Sequence, residues 1–222
     1  MMREDLSCNA LFWLMSKLVN FMAAGDEIST GSSGVSYVGV TQRTLLDYWH
    51  SLNKQFEVWH NGLPITFQPS ARVEPSQQPS HLKAGNHFMF TEIWYSIPMC
   101  ASIMQIYHMG QILLHMNKPH ESTQGGSTVC ARLNSYQSVL VACQKHSRDI
   151  VGISLARTDD AVRIHSIQPL FTAGQCLSDA SERQVVLNLL RDVEADVGWS
   201  TDYRVRQLLE QWQWQDQEAM VT

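Results

Sequence analysis

The sequence predicts an all-α protein of about seven helices, and three observations carry that prediction. Apolar residues recur at three- and four-residue steps in segment after segment. A capping signature at Ser181 and Gln184 opens one such segment and Gly198 closes it. From residue 93 to residue 117 the chain carries no Asp, Glu, Lys or Arg, the pattern of one long helix buried on nearly all sides.

Composition sets the frame. The 222 residues are 44% hydrophobic and 17% charged, with a formal net charge of -5, so the chain reads as soluble and globular and long enough to bury a sizeable core. We take 1–222 as a single helical domain, with flexible loops expected near 25–41 and 69–87. Sixteen basic residues lie scattered among twenty-one acidic ones, which gives no clustered cationic surface for nucleic acid. The five cysteines, Cys8, Cys100, Cys130, Cys143 and Cys176, are widely spaced and never form a C-x-x-C pair; reduced thiols fit better than a disulfide framework or a zinc site.

The first helix spans 4–24, with Leu6, Ala10, Trp13, Leu14, Lys17, Leu18 and Phe21 along one face and a stop at Gly25. Its acidic start and internal lysine argue against a secretory signal. An element that needs a partner surface this early fits either a chain with residues upstream of Met1 or a short protein that opens with a helix. Residues 25–39 read as a Gly/Ser loop. Gly31, Ser32, Ser33 and Gly34 match neither a phosphate loop nor a nucleophile elbow, since no Gly-Lys-Ser/Thr and no G-x-S-x-G follows.

A second helix covers 42–61, with Leu45, Tyr48, Trp49, Leu52, Phe56 and Trp59 as a packed face rather than a base-stacking one, because cations are lacking beside them. It stops at Asn61 and Gly62, and Pro64 forces extended backbone toward Phe67. His81 and His87 lie in the Pro-rich connection that follows and lack a third ligand.

The uncharged run is long enough to span a bilayer, yet Ser96, Ser102, Gln105, His108, Gln111 and His115 recur through it and no basic flank anchors its start. Pro98 marks its first turn or kinks it. His108 and His115, seven apart on one face, could in principle serve a ligand pocket or a metal. With no Asp or Glu in the run, hydrogen-bonded core histidines are the expectation.

A fourth helix runs from Val129 through Leu133, Tyr136, Leu140, Cys143, Ile150, Ile153 and Leu155. Its loose basic set, Arg132, Lys145, Arg148 and Arg157, mixes with Asp149 as a solvated face. Asp159 and Asp160 read as a helix cap near Ala161 rather than as paired catalytic carboxylates. The next helix gathers Ile164, Ile167, Leu170, Phe171, Gly174 and Leu177 around Pro169. Then come the helix of Val186, Leu189, Leu190, Val193 and Val197, and a last one with Val205, Leu208, Leu209 and Trp212. The tail places Trp214 beside Asp216 and Glu218 and reads as a helix end or a short acidic activation segment. Trp49, Trp59, Pro98, Pro169, Gly174, Gly198, Trp199 and Trp212 are the expected packing and backbone determinants. No catalytic, cofactor or metal constellation stands out.

The run Ser166, Ile167, Gln168, Pro169, Leu170 and Phe171, with Ala173 and Gly174, then Glu182 and Arg183, then Gly198, Trp199, Thr201, Tyr203, Arg204, Val205 and Leu208, resembles the C-terminal part of the fungal-specific transcription factor domain. That domain is the regulatory middle homology region of fungal zinc binuclear cluster transcription factors. Residues 49–59 with Leu63, Pro64, Phe67, Gln68 and Pro69, then 92–114 and 148–153, are similar too, so the resemblance covers roughly 40–212.

The resemblance implies a nuclear, non-enzymatic regulatory or effector domain controlling transcription by RNA polymerase II. Zinc and DNA contact would belong to a six-cysteine N-terminal cluster that this chain lacks. Protein partners or a homodimer, and a small-molecule effector, are implied, and a membrane is not. A dimerisation or inhibitory partner without DNA binding is the alternative; an α-helical enzyme ranks below both.

Overall fold

The computed structural model describes residues 3–30, 35–75, 89–119, 129–156 and 159–221. The chain is essentially all-α, with one very small sheet among the described residues. Among the described residues the order is α1 (Glu4–Thr30), α2 (Val35–Asn61), a 3-10 turn (Ile65–Phe67), β1 (Ala71–Val73), β2 (Glu92–Trp94), α3 (Pro98–Met116), α4 (Val129–Leu155), α5 (Asp160–His165), α6 (Ile167–Cys176), α7 (Ala180–Val197) and α8 (Asp202–Val221).

Among the described residues eight helices stand where about seven were expected, because the segment around Pro169 is two helices. A proline has no N–H to donate to the carbonyl four residues back and its ring collides with that carbonyl, here His165. The helix therefore ends at His165 and restarts at Ile167, and the Ser166 hydroxyl donates to Arg163 O at 2.6 Å across the break. The expected loop near 25–41 also differs. α1 continues through Gly25 to Thr30 and α2 begins at Val35, so the helical ladder outweighs the helix-weakening glycines; residues 31–34 lie outside the described residues. The connection expected near 69–87 contains β1, and 76–88 fall outside the described residues.

The chain divides into two compact units, one of Met1–Ile65 with Gly110–Ala142, the other of Thr66–Met109 with Cys143–Thr222. In the first, α1 and α2 run antiparallel: the Trp59 indole donates to Ser7 O at 2.8 Å, Lys17 Nζ reaches Gln55 Oε1 at 2.7 Å, and Phe21 meets Tyr48. The buried seam is Ser7, Leu11, Leu14, Leu18 and Phe21 against Trp49, Leu52, Phe56 and Trp59. Its three- and four-residue steps are those of knobs packed into holes. Leu6 and Trp13, expected on the buried face, are exposed, and Lys17 lies over the Trp13 ring instead. The period was right and the face was rotated by about one position. Late α3 and the first half of α4 also belong to this unit, and the Trp49 indole donates to Leu114 O at 2.7 Å, satisfying a carbonyl of the last turn of α3.

In the second unit β1 pairs antiparallel with β2, Arg72 opposite Ile93. Gly152 of α4 lies against this sheet so closely that a Cβ there would collide with Thr91 O and touch Ile93. α3 begins at Pro98, and from Cys100 to Leu114 no residue is exposed, as its lack of charge predicted. Asp159 caps α5 by accepting from Ala161 N at 2.8 Å. The cap of α7 is Asp179, not Ser181: its Oδ1 accepts from Ser181 N at 2.8 Å and Glu182 N at 3.1 Å. A carboxylate facing two orphan amides at the positive helix end outcompetes a hydroxyl. Those contacts, led by the Ser181 hydroxyl, hold the Asp179 carboxyl below its ordinary value.

Gly198 stops α7 in the left-handed region, φ 75°, with its N–H on Glu194 O. The Glu194 carboxylate then accepts from Thr201 N at 2.7 Å and Asp202 N at 2.9 Å, so the end of α7 caps the start of α8. Gly174 receives Leu208 and Val186 at close range, and the Trp212 indole donates to Gly174 O at 3.1 Å. Trp199, expected to pack, is 55% exposed. The left-handed turn at Gly198 sets the chain direction there without needing the indole.

Candidate functional site

A polar cluster in the second unit is the feature with chemical potential. α3 supplies His108, and α4 supplies His146 and Asp149, three residues apart and therefore on one helical face. His108 Nδ1 and His146 Nδ1 are 2.8 Å apart, a hydrogen bond in which one ring donates and the other accepts. Asp149 Oδ2 lies 3.9 Å from His108 Nδ1. One ligand atom from each of the three falls within 4.8 Å of the others. His108 is buried, while His146 and Asp149 are half-buried.

The short sheet adds Arg72, whose guanidinium is 3.6 Å from Asp149 Oδ1. The Tyr107 ring makes T-shaped contacts with both histidines. Burial pushes the Tyr95 hydroxyl up to about 12 against a partly offsetting Arg72, so it stays a neutral neighbour of this charge pair. One turn before His108, Gln105 donates to Ser154 Oγ at 2.8 Å, and its buried Oε1 has no hydrogen-bond partner.

The sequence signalled one of the three residues. His108 was singled out, but its expected companion on the same face, His115, belongs to the other unit. There it lies against Trp49, and burial, aided by Lys118, pushes its imidazole below the usual value. His146 and Asp149 were missed as a pair. The one-turn spacing of His146 and Asp149 was the available signal; it becomes meaningful only once α3 and α4 are known to face each other there.

The other sequence candidates play structural roles or fall outside the described residues. His81, His87 and residues 31–34 fall outside, as do Arg157 and the side chain of Arg132. Lys145 is exposed. Arg148, read as solvated, is half-exposed and donates through Nε to the buried Glu182 at 2.7 Å. Cys143 and Cys176 share a thiol hydrogen bond that raises the first and lowers the second. None of Cys8, Cys100, Cys143 and Cys176 is joined in a disulfide. No helix among the described residues is long and apolar enough to cross a membrane.

Fold and site together define an all-helical protein with a histidine–carboxylate cluster between two helices. In sequence the chain is similar to transcription activator AMTR1 of Alternaria alternata, 61% identical over 214 residues. That match covers 96% of this chain and 28% of the activator, so the chain spans just over a quarter of its relative's length. No family model matches the chain, and no solved structure matches it.

Proposed function

We propose that the chain is a regulatory or effector region of a fungal transcription regulator, acting in the nucleus and without catalysis. The observation that carries this reading is the 61% identity to a transcription activator across nearly the whole chain. The resemblance of residues 40–212 to the fungal-specific transcription factor domain supports the finer assignment, with zinc and DNA contact delegated to a cysteine cluster on another segment. In this reading the residues that carry the resemblance are packing devices. Pro169 sets the α5–α6 break, Gly174 admits Leu208, Arg204 lies over the Phe171 ring, and Gly198 turns the chain.

The region acts by favouring one packing state when a protein partner or small-molecule effector binds. A protein partner is supported by apolar side chains left exposed in the first unit: Leu6, Phe12, Trp13 and Val19 on α1, and Leu133, Tyr136 and Val141 on α4. Tethering the chain to a heterologous DNA-binding domain tests the reading. Reporter transcription is expected to move away from that of the DNA-binding domain alone; an unchanged level with the fusion present in the nucleus rejects it.

A further inference from the structure

We infer that His108, His146 and Asp149 form a binding site for a divalent transition-metal ion of the zinc class. Two imidazole nitrogens and a carboxylate oxygen are the donor set such ions take, and three protein ligands with a fourth position for water make an open zinc site. The spacing fits. Ligand atoms about 2.0–2.1 Å from a tetrahedral zinc stand roughly 3.3 Å from one another. The separations here are 2.8 Å between the two Nδ1 atoms and 3.9 Å from His108 Nδ1 to Asp149 Oδ2, with all three ligand atoms within 4.8 Å of one another, so side-chain adjustments of at most about 1.5 Å bring them into range.

Without metal, a single ring proton shared between the two Nδ1 atoms holds them together. With metal, both rings take the Nε2–H tautomer and both Nδ1 lone pairs turn to the ion, which needs no net proton release from two neutral imidazoles. The surroundings contain one feature that favours a cation and one that opposes it. Gln105 Oε1, on the same face of α3, is a buried acceptor without a donor. Arg72 sits on the outer side of Asp149, neutralising part of its charge and competing for it. With Asp149 19% exposed, the ion enters from the solvent edge that Arg72 flanks. Once bound, it ties α3 to α4 more firmly than a shared proton does.

This inference stands on the cluster's geometry and is independent of the transcriptional reading, whose test does not involve metal. The experiment is calorimetric titration of Zn²⁺ into the chelator-washed full chain, with Co²⁺ absorption reporting the ligand geometry. One Zn²⁺ per chain and a rise in the thermal midpoint are expected. His146→Ala and Asp149→Asn should each weaken binding at least about tenfold and abolish the rise. His115→Ala should leave the affinity unchanged, and circular dichroism confirms that each variant is folded. Binding of equal strength in all four proteins, or none in the wild-type chain, overturns the site.

Discussion

His108 and His115 occupy one face of one helix, and their surroundings make them different groups. His108 meets a second imidazole, a carboxylate and, through it, an arginine. His115 meets the Trp49 ring and a lysine, and burial disfavours its charged form. Both could have been ligands by spacing alone. What separates them is which residues the neighbouring helices bring: α4 offers His146 and Asp149 to the first, while α2 offers an indole to the second. Helical periodicity thus places a side chain on a face, and the partner helix decides its chemistry.

The largest expected effect breaks the His108 side through its backbone support. Gly152→Ala, one turn beyond Asp149, drives a methyl group into Thr91 O, which belongs to main chain and cannot swing away. It should cost about 3 kcal/mol of stability in denaturant unfolding. Gly110→Ala, on the same helix as both histidines, meets Met15 Sδ at 2.7 Å and the Phe56 ring. The thioether can move and alanine favours the helix, so the change should stay within about 1 kcal/mol. Equal losses at the two glycines would contradict the packing described for α4 against the sheet.

The next effect sharpens the His115 side. Trp49→Phe keeps most of the apolar area and removes the donor to Leu114 O, leaving a buried helix-terminal carbonyl short of a partner; the loss should be about 1–2 kcal/mol. An unchanged unfolding midpoint would show that this carbonyl finds another donor.

The smallest effect is a slope. A histidine whose folded pKa lies below its unfolded value takes up fewer protons folded than unfolded. Its contribution to stability is therefore full above the ordinary value of 6.5 and is lost as the pH falls through the lower folded value. His115→Gln should flatten the fall in stability below pH 6.5 relative to the wild-type chain. A steeper fall in the variant would mean that His115 is charged in the folded protein.

Much of the fold was legible because its cues are local. The α4 start at Val129, the caps at Asp159 and Gly198, and the buried uncharged helix each follow from a few neighbouring residues. The α5–α6 break was not read, although Pro169 carries its cue: the carbonyl clash has to be followed back four residues to His165. What the sequence hid was relational. Gly25 stops a helix only if nothing sustains the ladder beyond it. Ser181 loses its expected capping place to Asp179, two residues earlier. Arg148 looked solvated until α7 brought Glu182 to it, and His146 and Asp149 became partners of His108 only through the meeting of α3 and α4.

The central proposal, that this chain is a regulatory or effector region of a fungal transcription regulator, is tested most directly by a segment exchange. In the Alternaria alternata activator, the 214-residue stretch matched by this chain is deleted or replaced by it, and transcription from a reporter under that activator is measured. The account predicts that deletion changes the output and that this chain restores it. Output unaffected by deletion, or unrestored by a folded and equally abundant exchange, would contradict the account.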